Sequence, residues 1–500
     1  MINNKLRIEV VFIGKPQWEA GWPYIGYNNN NLTEKINRHL QNTFPIISFQ
    51  SRDIITSYNP TLIDKIKSDL SESDGLILFT IGHYGDPGII RSGIELIKHI
   101  NLPIILANIV YAGDHTFIKI YSSIKDENYR VYPISSQNFE DFDKYIEIMY
   151  NLLRLKDERL LVLATESKDI NWDKVMELFT PERKEIMNNH PEFINQIGTM
   201  RKDNFEFFTD LEGIDQAHPW RVNPSKYRKI LSETFGLEVI HGDPNQINIY
   251  YDKVDKAEAE NIAEKWIKEA DEVEPTKKTI INSAKLYLAL KALLKNQNVS
   301  FFAPDCGTLL LLGRLPAYPC MAFLELSKEK IYGICESDTN SAISFLLGLY
   351  LTGRPGYVSN HTLDLENERV TYMHCVAPCN LYGNGEEFLD YDIVYHGESH
   401  FLGAAPRIRF PKGETITTIK ISVLEKKLAL RQGVILDNLK EPGGCVSKVQ
   451  VRDDVNAILH NYEWETFGWH RVTFLGDWKK QFEVATTLLG LELIEEDKYF

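Results

Sequence analysis

Glu336 and Asp338 stand at a junction, Tyr332-Gly-Ile-Cys-Glu336-Ser-Asp338, between a short apolar run and Ala342-Ile-Ser-Phe-Leu-Leu-Gly-Leu-Tyr-Leu351. The second segment is apolar on every helical face, so it has to be buried. A carboxylate at that entrance suits a cation or a proton transfer better than it suits packing. It also has an ordinary structural use, because an acid at a helix N-terminus caps free N–H groups and complements the dipole. Asp338 fits that use well and Glu336 fits it less well. Other residues able to do chemistry follow: Asn360-His361 and Asp364 after the Thr352-Gly-Arg-Pro355 turn, His374-Cys375 at the end of an apolar run, and His470 at the start of another. Cys375 and Cys379 beside His374 offer zinc's usual donors. No second pair of matching spacing accompanies them, which favours buried structural cysteines. A lone histidine such as His470 is ordinarily a packing residue, and its worth depends on whether it meets Glu336.

The elements that must position these groups fall into three stretches. Residues 1–158 alternate strand runs (Ile8 to Gly14, Asp74 to Gly82, Pro103 to Asn108) with helical segments such as 89–100. That is the βαβ pattern of a parallel sheet covered on both faces. Asn28 to Asn31 reads as a loop. After the charged segment Lys156 to Arg159 the pattern restarts with Leu160 to Thr165, Gly236 to Gly242 and Val299 to Pro304. Between the last two, Ala259, Ile262, Ala263 and Trp266 recur at helical spacing, as do Leu286, Leu290 and Leu293. Residues 159–355 therefore form a second α/β domain, which carries Glu336. From 356 to 500 the runs alternate or are β-branched (Thr415 to Val423, Val446 to Val451) and glycine turns punctuate them, before a helix near 478–490. This is the texture of antiparallel sheet or a small barrel, and it carries His470. The expected fold is α/β: two consecutive doubly wound domains followed by a β-rich, barrel-like C-terminal domain.

Composition narrows the function. Five hundred residues exceed what one core usually serves. A net charge of -15 without a lysine/arginine cluster argues against a nucleic-acid partner. Six cysteines in so long a chain do not make a disulfide framework. The sequence opens without the apolar core of a signal peptide, and no run is long enough to span a bilayer. A cytoplasmic location is expected, with no membrane partner. A two-domain sugar-binding protein of the periplasmic kind would account for the α/β halves but not for the missing signal peptide or the β-rich third part.

The ordered series Asp305-Cys-Gly-Thr, Pro319-Cys320, Cys335-Glu336-Ser-Asp338, Leu351-Thr-Gly-Arg-Pro355, His374-Cys375, His470 and Gly476-Asp477 resembles the L-fucose isomerase/L-arabinose isomerase superfamily, and within it the fucose isomerase-like proteins. The motifs cover residues 300–480. The resemblance implies two α/β domains and a β-rich third, a homo-oligomer, and metal-dependent aldose–ketose isomerisation of a small sugar through an enediolate, with Mn2+ or another divalent cation. It implies Glu336 as metal-binding carboxylate and catalytic base, and His470 as metal-binding imidazole. The family's further acid falls on Asn360, whose amide can coordinate a metal but cannot shuttle a proton near neutral pH. Asp364 could replace it as the catalytic acid, and His361 could act as ligand or base. His361 and Asp338 are the remaining candidates for contact with the sugar. A family member that binds sugar with lost or altered catalysis is the alternative, and Asn360 favours it.

Overall fold

A computed structural model describes residues 5–15, 24, 26–82, 86–164, 223–311, 314–383, 385, 387–397, 402–441 and 443–499. The chain forms two compact units, residues 1–154 with 480–492, and residues 155–479 with 493–500. Parallel sheets occupy the N-terminal half and a closed β-barrel the C-terminal region.

The first unit is built on a parallel sheet of five strands, β1 (Arg7–Gly14), β2 (Ser48–Ser51), β3 (Gly75–Ile81), β4 (Ile104–Ile109) and β5 (Val131–Ser136), in the order β2-β1-β3-β4-β5. Every residue of β3 and β4 is buried, which is why both read as unbroken apolar runs. The asparagine tract is not a loop. Asn28 caps the helix Asn29–Thr43, its side chain accepting from the Asn31 N–H at 2.8 Å, and Asn29 is buried with its amide donating to the Lys15 carbonyl at 2.7 Å. Asparagine disfavours helix interiors because its side chain competes with the backbone, and at the cap that competition starts the helix. The helix Lys479–Leu489 closes this unit: Arg130 Nε donates to the Leu488 carbonyl at 2.8 Å, and Lys480 lies over the Tyr132 ring.

The second unit begins with a smaller parallel sheet of β6 (Arg159–Leu163), β7 (Glu238–His241), β8 (Phe301–Pro304) and β9 (Tyr332–Gly333), ordered β7-β6-β8-β9. Thr165, read as the end of a strand, lies outside the described residues. Its remaining strands are β10 (Tyr357–Asp364), β11 (Arg369–His374), β12 (Tyr391–His396), β13 (Leu402–Ile408), β14 (Thr415–Ser422), β15 (Lys427–Asn438), β16 (Ser447–Arg452), β17 (Arg471–Leu475) and β18 (Glu492–Glu495). Six of them close on themselves in the order β14-β17-β10-β11-β16-β15 and back to β14, all antiparallel. Closure removes the free edges that an open antiparallel sheet would present. One apolar cluster runs from Leu161 through Trp266 and Phe323 to Val451 and Leu475, so residues 159–355 and the barrel share a core.

The helix Thr339–Thr352 joins the two layers and is buried along nearly its whole length. It packs on β14 and β17, and Ser344 fastens it there by accepting from the Ile421 N–H at 2.8 Å. Gly348 sets the closeness of approach, since a Cβ there would lie 1.9 Å from the Phe474 ring. No helix among the described residues is long and apolar enough to cross a membrane. Gly348→Ala should therefore push the helix off β17 and destabilise the second unit by about 1–3 kcal/mol, read as a lower denaturation midpoint. An unchanged midpoint would mean that the contact is not tight.

Candidate functional site

Glu336 owes its position to the end of the smaller sheet. Backbone bonds from Tyr332 N–H to Ser300 O (2.8 Å) and from Ile334 N–H to Phe302 O (2.9 Å) fix the approach. The chain then makes a single tight turn over Cys335–Ser337. Glu336 (φ +61°) and Ser337 (φ +49°) both adopt left-handed backbone, which costs a residue with a Cβ about 1–2 kcal/mol. This strain turns the Glu336 side chain outward, where it is 46% exposed. Two consecutive strained residues beside a candidate ligand fit the tendency of strain to collect at functional sites.

Asp338 is used differently from Glu336. It is buried, and one carboxylate oxygen accepts from the Ser341 N–H at 2.9 Å, the N-cap bond of Thr339–Thr352. The other accepts from Ser341 Oγ (2.7 Å), Lys420 Nζ (2.6 Å) and His470 Nδ1 (3.0 Å). Burial alone pushes this carboxyl up, but the Lys420 ammonium and the His470 ring outweigh it and hold it well below the usual carboxylate range. Burial in turn pushes Lys420 down, against the pull of Asp338.

His470 lies immediately before β17, and three contacts set it there. Trp469 Nε1 donates to the His361 carbonyl at 2.7 Å. Arg471, wholly buried and paired with Glu496 at 2.6 Å, donates to the carbonyls of Gly468 (3.0 Å) and His470 (2.9 Å). Asp338 takes the third, on the ring itself. An ionised carboxylate only accepts, so His470 Nδ1 carries the hydrogen and Nε2 is left 3.6 Å from Glu336 Oε2. A carboxylate fixing a histidine through its far nitrogen is the usual outer partner of a metal-binding imidazole.

A second imidazole completes the group. His374, the last residue of β11, is buried with its ring centroid 5.4 Å from that of His470. Neither of its ring nitrogens has a hydrogen-bond partner among the described residues. Burial pushes its pKa down to about 4 against the pull of Glu336, leaving a neutral imidazole at physiological pH. Ligand atoms of Cys335, Glu336 and His374 all lie within 4.8 Å of one another. A buried, unpartnered, neutral imidazole beside a carboxylate and a thiol is a donor set that a divalent cation fits.

The structure thus brings Glu336, Asp338 and His470 together and sends the other expected residues elsewhere. Asn360 is opposite Met373 in the β10–β11 ladder. Paired residues share a face and successive ones alternate, so the Asn360 side chain takes the face away from His374. Asp364 is exposed at the far end of β10, where its carboxylate accepts from the Asn367 backbone (3.1 Å) and side chain (2.8 Å). Four residues of strand separate it from Asn360, about 13 Å, so it caps a hairpin turn. His361 is buried between Tyr372 and Tyr462, and burial holds its pKa well below the ordinary value. Asp338 is likewise buried. Cys375 and Cys379 are both buried, with Cys375 close to Cys445 and His396. Lys420 carried no local signal beyond one cation in an otherwise β-branched strand. His374 was visible in sequence, but only as a neighbour of the cysteines.

Lys420→Met should leave Asp338 as a buried, underpaired charge and cost about 3–5 kcal/mol. Adding Asp338→Asn should recover part of that loss in denaturation experiments. Because the folded Asp338 carboxyl titrates below its unfolded value, the wild-type contribution is present above about pH 4 and is lost as the pH falls further. In the metal-free protein, the His374 ring protons observed by NMR should titrate with a midpoint near 4. A midpoint above 6 would show that the ring is solvated.

The chain is similar to the sulfoquinovose isomerase of Alkalicoccus urumqiensis, with 22% identity over 243 residues. The match takes in 46% of this chain and 54% of that protein, so it spans about half the length of each. No protein-family model matches the chain.

Proposed function

We propose that the protein is a metal-dependent aldose–ketose isomerase acting on a small sugar through an enediolate, with Glu336, His374 and His470 holding a divalent cation. Manganese is the ion that the family resemblance implies. The observation that carries this reading is the approach of His470 Nε2 to Glu336 Oε2 beside an unpartnered buried imidazole. The similarity to a sulfoquinovose isomerase supports the reaction class. The same reading makes the protein a cytoplasmic homo-oligomer.

A cation held there supplies Lewis-acid stabilisation of the negative charge that develops between two sugar carbons. The chain's own residues do the rest. Glu336, strained outward and half-exposed, takes a proton from one carbon and returns it to its neighbour. Asp338 keeps the hydrogen on His470 Nδ1 and so directs the Nε2 lone pair toward Glu336. Lys420 and Ser341 keep Asp338 ionised and immobile.

The second reading, sugar binding with lost or altered catalysis, is favoured by one observation. The position expected to supply another acid is Asn360, and Asp364 is committed to its turn. Incubating the protein and Mn2+ with a panel of aldoses and ketoses, sulfoquinovose included, separates the two by product chromatography. Interconversion that falls at least about 100-fold in Glu336→Gln and accompanies metal loss in His470→Ala supports the isomerase. Sugar binding without turnover, with activity gained in Asn360→Asp, supports the alternative.

A further inference from the structure

We propose that Cys335 is itself a ligand of this cation site, so that a thiolate joins the Glu336 carboxylate and the His374 and His470 imidazoles and the ion is of the zinc class rather than manganese. This rests on the cation site described above and extends it to the choice of ion. Cys335 and Glu336 are consecutive, and in extended chain their side chains would point to opposite sides. The left-handed turn at Glu336 and Ser337 cancels that alternation and brings the Cys335 sulfur and the Glu336 carboxylate within 4.8 Å of each other and of a His374 ring nitrogen. Zinc binds sulfur at about 2.3 Å and nitrogen or oxygen at about 2.0–2.2 Å in tetrahedral geometry, so its ligand atoms lie about 3.4–3.6 Å apart. Ligand atoms that lie within 4.8 Å of one another close onto an ion by side-chain shifts of up to about 1 Å.

Cys335 hydrogen-bonds with Cys306, whose own thiol donates to the Pro304 carbonyl at 3.4 Å. Binding breaks the Cys335 S–H bond, forms a sulfur–metal bond and releases the proton to solvent, with no change in oxidation state. Thiolate is a soft donor that selects zinc-like ions, whereas manganese prefers carboxylate, carbonyl and water. Zinc outbinds manganese at nearly any nitrogen or oxygen site as well, so a simple preference for zinc decides nothing. The deciding quantity is how the preference responds to loss of the sulfur.

The test uses the full chain, stripped of metal by a chelator and titrated with Co2+, whose thiolate complexes show a sulfur-to-metal charge-transfer band in the near ultraviolet. The wild type should show that band together with visible ligand-field absorption. Cys335→Ser should lose the band, keep the visible absorption, and bind Zn2+ at least tenfold more weakly with Mn2+ affinity changed less than twofold. Cys306→Ser and Cys375→Ser should keep the band. Should Cys335→Ser fail to fold, X-ray absorption of the wild type with one equivalent of Zn2+ decides, sulfur in the first shell being expected. Cobalt bound without the band, a band that survives Cys335→Ser, a first shell of nitrogen and oxygen alone, or no cobalt bound at all each overturns the proposal. Sugar turnover with Mn2+ in a protein lacking the band would retain the isomerase and reject the thiolate. The band in a protein that turns over no sugar would do the reverse.

Discussion

A single buried carboxylate, Asp338, organises the second unit. Its oxygens cap the helix Thr339–Thr352, receive Lys420 from β14 and receive His470 from the start of β17. Three separate parts of the chain are therefore tied to one group, and the partners are 82 and 132 residues from it in sequence. An ion pair of this kind contributes little net stability, because removing two charges from water offsets most of their attraction. What it contributes is position. A helix rotated or displaced by a residue would leave Asp338 charged and unpaired in the interior. The register of the helix on the barrel and the orientation of His470 are accordingly one constraint.

A second buried pair does the same service from the other side. Arg471 and Glu496, both wholly buried, fix the backbone on either side of Trp469, and Arg471 lies over the Tyr462 and Phe467 rings. His470 is thus gripped through its ring by Asp338 and through its carbonyl by Arg471. Glu336 differs, being placed by its left-handed backbone with its side chain half-exposed and 3.6 Å from His470 Nε2. A rigid imidazole facing a carboxylate with freedom to rotate suits a group that must both hold and release a proton.

Much of this was legible in the sequence. Buried parallel strands such as β3 and β4 announce themselves as branched apolar runs, the β-branched Thr415 to Ser422 run became a barrel strand, and the all-apolar segment after Asp338 had to be a buried helix. Asp338 as N-cap followed from its place ahead of that helix. The pairing of Glu336 with His470 came from an ordered series of motifs, because no local pattern links residues so far apart. The reading ran out where register decides. One position along β10 or β11 sends a side chain to the other face of the sheet, so Asn360 was an attractive partner for Glu336 in sequence while His374 is its neighbour in space. Asp364, the second choice after Asn360 in sequence, accepts from Asn367 in the hairpin turn. Lys420 was invisible for a related reason. A lysine in a strand usually faces solvent, and only closure of the barrel around it reveals a buried partner.

The helix near the end of the chain carries a consequence for the order of events during folding. Residues 480–492 belong with residues 1–154, although all of the second unit except residues 493–500 is encoded between them. The first unit can build its parallel sheet early in synthesis, because β1 to β5 are contiguous. It cannot receive the backbone that Arg130 binds until some 350 further residues have been made. The second unit needs no such wait for its parallel sheet, but its barrel is completed by β17 just before that helix. Both units thus finish within a short span of chain, and the interval before it is when unpaired apolar surface on the first unit stands open to chaperones or to aggregation.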